Sequence, residues 1–405
     1  MTPLSTASDS SHTVYANASE IQDACNHLRE GTGAFALDTE RASGFYYDER
    51  AFLIQICRDN AGTFLIDPRF DPPAARRELQ ALLNDQDWIL HAGYSDQYAL
   101  KHLKLQPAHI FDTELASRLL GHPRVNLAAM VEHYLGVTLK KGHGSEDWST
   151  RPLPQAWLRY AALDVEYLLP LQDALLADLD AHDKRHWAEQ EFEHMVHSFA
   201  TYQYVPKTWL HLKGLSNLRH PMQLAVANAL WSRRDEIARA EHRAVHRLLP
   251  DKTLVALAQA LPRSYKQITA IRGIRIPNRK YLPVWLKIIR TVTTQSPQCW
   301  PNVNETLRRR RQLSNAPSKH CLEHEYPAAY ELFQRFVAEL DMLATQLSTP
   351  RENLCAASIC RILAKHFIQQ PPHSIEEISQ VLTAQHLRPW QCALLVPLLE
   401  TLVLH

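Results

Sequence analysis

LRYAALDVEYLLPLQ, Leu158 to Gln172, reads as a helix that buries one stripe and leaves a tyrosine and an aspartate off it. Leu158, Ala161, Ala162, Val165, Leu168 and Leu169 recur at i, i+3, i+4 spacing, so an apolar stripe can lie against a sheet. At about 100° per residue, Asp164 falls roughly 105° from the centre of that stripe and Tyr160 about 145°. The two sit one turn apart, free to face a cleft beside the core. Pro170 is expected to kink the helix after the pair and leave the turn between them intact. Tyr-x-x-x-Asp on a surface helix is common, and alone it says little.

Upstream, strand signals follow closely at Ala34–Asp38, Phe52–Arg58 and Thr63–Asp67, the pattern of an antiparallel meander. Strands at Trp88–His91 and His109–Asp112 then alternate with helices near Ala74–Leu83, Asp96–Leu103, Glu114–Leu120 and Leu127–Leu135. Alternation of that kind implies parallel strands covered by helices, so a mixed α/β sheet is expected.

Three acidic motifs fall where such a sheet would gather them. Asp38 and Glu40, in ALDTE, end the first strand two residues apart, so their side chains leave on one face. Asp96 follows the strand end WILHAGYSD, and Asp164 comes from the helix above. Singly, these are a solvated strand end, a helix N-cap and a surface residue. Together they are harder to explain as structure, because two carboxylates about 4 Å apart repel by about 4 kcal/mol at an effective dielectric near 20. Converging acids must be protonated or neutralised by cations. Oxygen donors suit Mg²⁺ or Mn²⁺. Two such ions can cut a phosphodiester by activating water and stabilising charge on the phosphate and leaving oxygen. The Tyr160 hydroxyl can orient that water without ionising.

The chain has 405 residues, 45% apolar and 21% charged, enough for two or three domains with real cores. The opening MTPLSTASDSSH lacks a basic and an apolar leader region, and no stretch approaches eighteen uninterrupted apolar residues, so a cytoplasmic protein with no membrane partner is expected. Seven cysteines, an odd number without a CxxC pair, argue against a disulfide framework or a structural zinc site; Cys355, Cys360 and His366 read as packing and solvent-facing residues. The net charge of +1 hides an asymmetry. Residues 1–200 hold 17 Lys and Arg against 29 Asp and Glu, and residues 201–405 hold 27 against 14. Such a split fits carboxylates gathered for metal chemistry in one part and a phosphate-attracting surface in the other, or two solvated surfaces of opposite sign.

ALDTE, HAGYSD and LRYAALDVEYLLPL, with FDTELASRLLG, VNLAAMVEHYLGV and EDWSTRPL between them, resemble ribonuclease D of the DEDDy 3′→5′ exonuclease superfamily, densely from about residue 30 to 190. The resemblance implies a ribonuclease-H-like exonuclease fold. By motif, Asp38 and Glu40 match the first exonuclease motif, Asp96 the second, and Tyr160 with Asp164 the third. It further implies that Asp38 bridges two metals, that Glu40 and Asp164 complete one metal's shell, that Asp96 acts through water, and that Tyr160 orients the nucleophile. Thr39, His91, Lys140 and Lys141 are candidate substrate contacts, His91 reading equally well as a packed strand-end residue and the lysines as part of a solvated loop, KGHGSEDWS. Trp148 reads as packing. RASGFYYDER, after Glu40, is placed to shape a pocket for the terminal nucleotide.

From about Lys207 the chain becomes helical and basic, and residues 212–274 resemble an HRDC domain. Arg233, Arg234, Arg272 and Arg275 are its candidate RNA contacts, able to neutralise phosphates without reading sequence. The expected organisation is a disordered N-terminus at 1–12, the exonuclease domain at 13–205, an HRDC domain at 206–293, a Pro-containing linker at 294–326 with the run Arg308–Arg311, and a second HRDC-like helical domain at 327–405. The α/β exonuclease domain is thus followed by one or two all-α HRDC-type domains. The function implied is that of a metal-dependent 3′→5′ exoribonuclease, using two Mg²⁺ or Mn²⁺ ions and acting as a monomer on RNA 3′ ends, with tRNA precursors the substrate class. Alternatives are the same chemistry on DNA in repair, since the motifs do not read the 2′-hydroxyl, and a non-catalytic RNA-binding protein.

Overall fold

The structure, a computed structural model, describes residues 12–69, 73–139 and 142–404. The expected disorder of residues 1–12 therefore lies, except for His12, outside the described residues. The chain divides into two compact units, one of Met1–Arg41, Arg50–Gln203 and Ala316–His405, the other of Ala42–Glu49 and Tyr204–Asn315.

The first unit opens with β1 (Val14–Tyr15), α1 (Ala18–Glu30), β2 (Thr32–Arg41), β3 (Ala51–Asp59) and β4 (Gly62–Ile66). It continues through α2 (Pro73–Leu83), β5 (Asp87–Leu90), α3 (Gln97–His102), β6 (His109–Asp112), α4 (Thr113–Leu119), α5 (Leu127–Leu135), α6 (Gln155–Glu166), α7 (Leu168–Ala181) and α8 (Arg185–Thr201). The strands form one mixed sheet in the order β1-β4-β3-β2-β5-β6. Strands β2, β3 and β4 are the antiparallel meander, while β5 and β6 add in parallel beyond β2 and β1 pairs in parallel with β4. This is the mixed α/β architecture that the motifs imply. Sequence reasoning missed α1, whose signal is a capping box: the Asn17 side chain accepts from the Glu20 amide at 3.0 Å, and the Glu20 carboxylate accepts from the Asn17 amide at 3.2 Å.

Strand alternation sorts the sheet into two faces. Phe35, Leu37, Ile54 and Ile56 join the core with α1, α2 and α3, and Ala36 and Cys57 join the core with α4, α5, α7 and α8. Asp38 and Glu40 continue the alternation of Ala36, and Gln55 that of Cys57, so all three leave on the second face. The expected single helix over residues 158–172 is two, α6 and α7, with the break at Tyr167. Pro170 accounts for it: it lacks an N–H, and its ring opposes the carbonyl four residues back, on Glu166, the last residue of α6. The turn from Tyr160 to Asp164 is intact.

In the second unit come α9 (Pro221–Ala240), α10 (Val245–Leu248), α11 (Asp251–Ala260), α12 (Tyr265–Ala270), α13 (Leu282–Thr293) and α14 (Val303–Gln312) around a core that includes Leu224, Leu230, Leu254, Ile268, Trp285 and Ile289. Its other member, Ala42–Glu49, lies between β2 and β3 in the chain. There Arg247 stacks 3.8 Å from the Phe45 ring centroid, the Ala244 amide donates to the Phe45 carbonyl at 2.9 Å, and the Tyr47 hydroxyl donates to Asp235 at 2.8 Å. Phe45 and Tyr47 of RASGFYYDER, the segment expected to shape a nucleotide pocket, are therefore engaged with residues of the helical unit.

The first unit resumes with α15 (Lys319–Glu325), α16 (Pro327–Gln346), α17 (Arg351–Leu354), α18 (Ala357–Gln369), α19 (Ile375–Ala384) and α20 (Pro389–Val403). Residues 294–326, expected as a linker, thus carry α14 and α15. Their prolines precede helix starts: Pro301 stands before the Asn302 cap, Pro317 before the Ser318 cap, and Pro327 at the start of α16. The last helices dock on the exonuclease helices. Lys184, 6% exposed, donates to the carbonyls of Leu119 and Leu347, both at 2.7 Å, and to the Thr349 hydroxyl at 2.9 Å. Arg388 pairs with buried Glu191 at 2.6 Å, and Trp187 stacks on Trp390 at 4.7 Å. No described helix is long and apolar enough to cross a membrane.

Candidate active site

Asp38 and Glu40 stand near the end of β2, and α6 runs across that face, bringing Asp164 to them. One carboxylate oxygen from each of Asp38, Glu40 and Asp164 lies within 4.8 Å of the others. Glu40 is 6% exposed. Burial, then the charges of Asp96, Asp164 and Glu40, pushes Asp38 well above the ordinary carboxylate range. Glu40 is raised by burial, then by Asp164 and Asp96, and burial lifts Asp164 to about 7. Without a cation, the cluster holds protons that water-exposed carboxylates would release.

Asp96 is placed by the HAGYSD turn. Ala92 there adopts a left-handed backbone, φ 59°, a conformation costly for a residue with a Cβ. The Gly93 amide donates to Asp112 at 2.6 Å, and a Cβ on Gly93 would lie 2.5 Å from a Leu90 methyl carbon, so a larger residue here would displace that buried side chain. Asp96 then receives the Thr39 hydroxyl at 2.5 Å and the Ser95 hydroxyl at 2.9 Å, with the Arg41 guanidinium at 4.0 Å. Arg41 in turn donates to the Ser95 carbonyl. Burial raises the Asp96 carboxyl, while Arg41, Thr39 and Ser95 oppose the shift. Its oxygens stand outside the three-donor group, and its charge reaches Asp38 and Glu40 electrostatically.

Tyr160 completes the constellation. Burial, then the Asp164, Glu40 and Asp38 charges, raises its phenol far above its ordinary value, so it stays an intact O–H hydrogen-bonded to Asp164. A cavity of about 180 Å³ is lined by Asp38, Tyr160, Asp164 and His91, with Leu127 and Leu168 as apolar wall and Leu37 of β2 at its edge. His91 shares a 2.8 Å hydrogen bond with the Thr113 hydroxyl, and burial lowers its pKa to about 4, so it is neutral there. The KGHGSEDWS loop meets the site through Gly142 and His143: a Cβ on Gly142 would overlap the Tyr160 ring, and the His143 ring stands edge-on to it at 6.0 Å. Trp148 is fully buried against Trp157, a packing role as read from sequence.

The other candidate contacts divide. Lys140 and Lys141 lie outside the described residues. Thr39 is buried with its hydroxyl given to Asp96, which makes it a support of that carboxylate where a substrate contact was expected. Arg234 is a correction: it is 3% exposed and donates to the Leu249 carbonyl at 2.8 Å and Asp251 at 2.7 Å, holding helices together. Its position, four residues after Leu230 and three before Ile237, lies on the buried stripe of α9, the signal by which it differs from exposed Arg233. Arg233 is exposed and paired with Glu236 at 2.8 Å; Arg272 and Arg275 are exposed. One residue was missed. Gln55, lone polar residue in the run FLIQIC, is fully buried opposite Asp38 in the β2–β3 register, and that isolation was its signal.

The donor set fits a hard divalent cation. Three carboxylates converge, and a buried amide beside them, that of Gln55, has no hydrogen-bond partner among the described residues.

Residues 13–180 match the family model described as 3′-5′ exonuclease, residues 223–289 the HRDC domain, and residues 315–402 the 3′ to 5′ exonuclease C-terminal domain. Ribonuclease D of Zymomonas mobilis is 29% identical over 267 residues, which cover 65% of this chain and 67% of that protein. A protein from Bifidobacterium adolescentis, known by crystal structure, is 30% identical with a TM-score of 0.84 over 98% of each chain. The crystal structure of Escherichia coli RNase D, described as an exoribonuclease involved in structured RNA processing, shares the fold with a TM-score of 0.65 at 23% identity, covering 92% of this chain and 99% of that one. A mixed sheet bearing the acidic motifs, an HRDC domain after it and these relatives lead to one conclusion: the chain belongs to the ribonuclease D family of 3′→5′ exoribonucleases.

Proposed function

We propose that the chain is a metal-dependent exoribonuclease that releases 5′-nucleoside monophosphates one at a time from the 3′ ends of structured RNA, tRNA precursors among them. The observation that carries this reading is the convergence of Asp38, Glu40 and Asp164 with Tyr160 at one cavity. These three carboxylates would hold the divalent ions, with Asp96 supporting the site from its hydrogen bonds to Thr39 and Ser95. When bound, two such ions supply an activated water and stabilise the charge that builds on the phosphate and leaving oxygen. The Tyr160 hydroxyl, kept protonated, orients the attacking water by hydrogen bonding. Leu127 and Leu168 provide an apolar wall for the terminal base, and neutral His91 lines the same wall without adding charge. Exposed Arg272 and Arg275 serve the RNA backbone.

The reading is tested with a 5′-labelled, 3′-tailed tRNA-like RNA and its DNA counterpart, each with Mn²⁺, Mg²⁺ or EDTA. A ladder shortening from the 3′ end on RNA, abolished by EDTA, is the expected result. An equal ladder on DNA would move the substrate to DNA, and activity in EDTA would remove the metals.

A further inference from the structure

We infer that Gln55 is a positioning residue for Asp38, its side-chain amide orienting that carboxylate in the cation-bound site. The inference rests on the reading of the cluster as a cation site. Gln55 is the direct antiparallel partner of Asp38. Directly opposed residues have Cβ atoms about 4.5–5.5 Å apart and project to the same face, here the face that α6 covers. Gln55 is 0% exposed, and both its amide nitrogen and its amide oxygen lack a hydrogen-bond partner among the described residues. A buried polar group left so is destabilising. Packing does not ask for an amide here, since Leu53 and Cys57, its neighbours along that face of β3, are buried and apolar. The free N–H₂ can donate to the carboxylate across the pair. Such outer hydrogen bonds fix which lone pairs a ligand turns toward an ion.

Gln55→Leu separates this role from packing, because it removes the orphan amide and keeps the bulk. The metal-free variant should match or exceed the wild-type melting temperature. Its Mn²⁺ half-saturation, read from the Mn²⁺-dependent rise in melting temperature, should weaken by about tenfold or more, and kcat should fall. Gln55→Met should behave alike. A variant of wild-type Mn²⁺ response and kcat, whatever its stability, overturns the inference. If the wild type itself shows no Mn²⁺-dependent rise, the reading of the cluster fails, and this inference with it.

A separate observation points to a second cation site of different chemistry. His320, Glu323 and His324 occupy positions i, i+3 and i+4 of α15, exposed, with one donor atom of each within 4.8 Å of the others. The His324 Nδ1–H donates to the His320 carbonyl at 3.0 Å, which fixes the tautomer and leaves the Nε2 lone pair for a ligand. Ser318 caps the helix and fully buried Leu322 anchors it, so the three donors stand on a fixed scaffold. Two imidazoles and a carboxylate select Zn²⁺ or a similar transition metal over Mg²⁺. Calorimetric titration of EDTA-stripped protein with Zn²⁺, in excess Mg²⁺ to occupy the carboxylate cluster, should show a zinc equivalent that His320→Gln/His324→Gln lacks, with melting temperature unchanged in the absence of zinc. Equal zinc binding by that variant, or none by the wild type, overturns the site.

Discussion

Asp164 carries a carboxyl that burial holds at about 7, against an ordinary 3.8. The folded chain therefore binds this proton more tightly than the unfolded chain does. In metal-free protein the resulting stability is fully present below about pH 4 and is lost as pH rises through about 7. Asp164→Asn has no such titration. Urea unfolding in EDTA should show the variant gaining on the wild type as pH rises from 4 to 7, and parallel curves would contradict the assignment. On the proposed water-orienting role, Tyr160→Phe should lower kcat by roughly 10²-fold or more with little change in KM, the scale of a lost acid–base or orienting group. An unchanged kcat removes its water-orienting role. At this scale the sequence was most legible, because ALDTE and LRYAALDVEYLLPL place their carboxylates by local periodicity alone. Gln55 and Arg234 carried a local signal of burial, one in an apolar run and one on an apolar stripe, but the groups that meet them across the sheet or helix are distant in the chain.

The elements show the same division. The meander, the parallel strands and the kink at Pro170 follow from patterns a few residues long. That the last helices dock on the exonuclease helices does not, because it depends on pairs such as Glu191 with Arg388, far apart in the chain. Lys184 is the clearest of these joints. Lys184→Met leaves the Leu119 and Leu347 carbonyls without their donor and should cost on the order of 2–3 kcal/mol, measured by urea unfolding at constant pH. A loss within about 0.5 kcal/mol, the ordinary range of surface substitutions, would show that this joint is not a source of stability. The Ala42–Glu49 loop carries a similar lesson: in sequence the segment is placed to shape a nucleotide pocket, and in the fold Arg247 and Asp235 engage two of its aromatics.

Across the molecule, the acidic first half and the basic second half correspond to a carboxylate cluster and a helical unit with exposed arginines. Charge of that kind attracts RNA backbone without reading it, and affinity then falls steeply with salt. Arg272→Ala with Arg275→Ala should weaken binding to unrelated RNAs about equally and reduce the salt slope by about one for each phosphate that is no longer neutralised. An unchanged slope would place the RNA-binding surface elsewhere. Composition foretold the sign of this surface, while Arg234 shows that it could not tell exposed arginines from buried ones.

The most direct test of metal-dependent 3′-end cleavage at this site is the rate of 3′-end shortening of a 5′-labelled RNA as Mn²⁺ is raised from zero, for the wild type and Asp38→Asn. The wild type should be inactive in EDTA and rise to saturation, and the variant should stay lower by roughly 10²–10³-fold or more at every Mn²⁺ concentration, the scale expected when stabilisation of transition-state charge is lost, while still binding the RNA. Cleavage by Asp38→Asn at near wild-type rates, or full wild-type activity in EDTA, would contradict it.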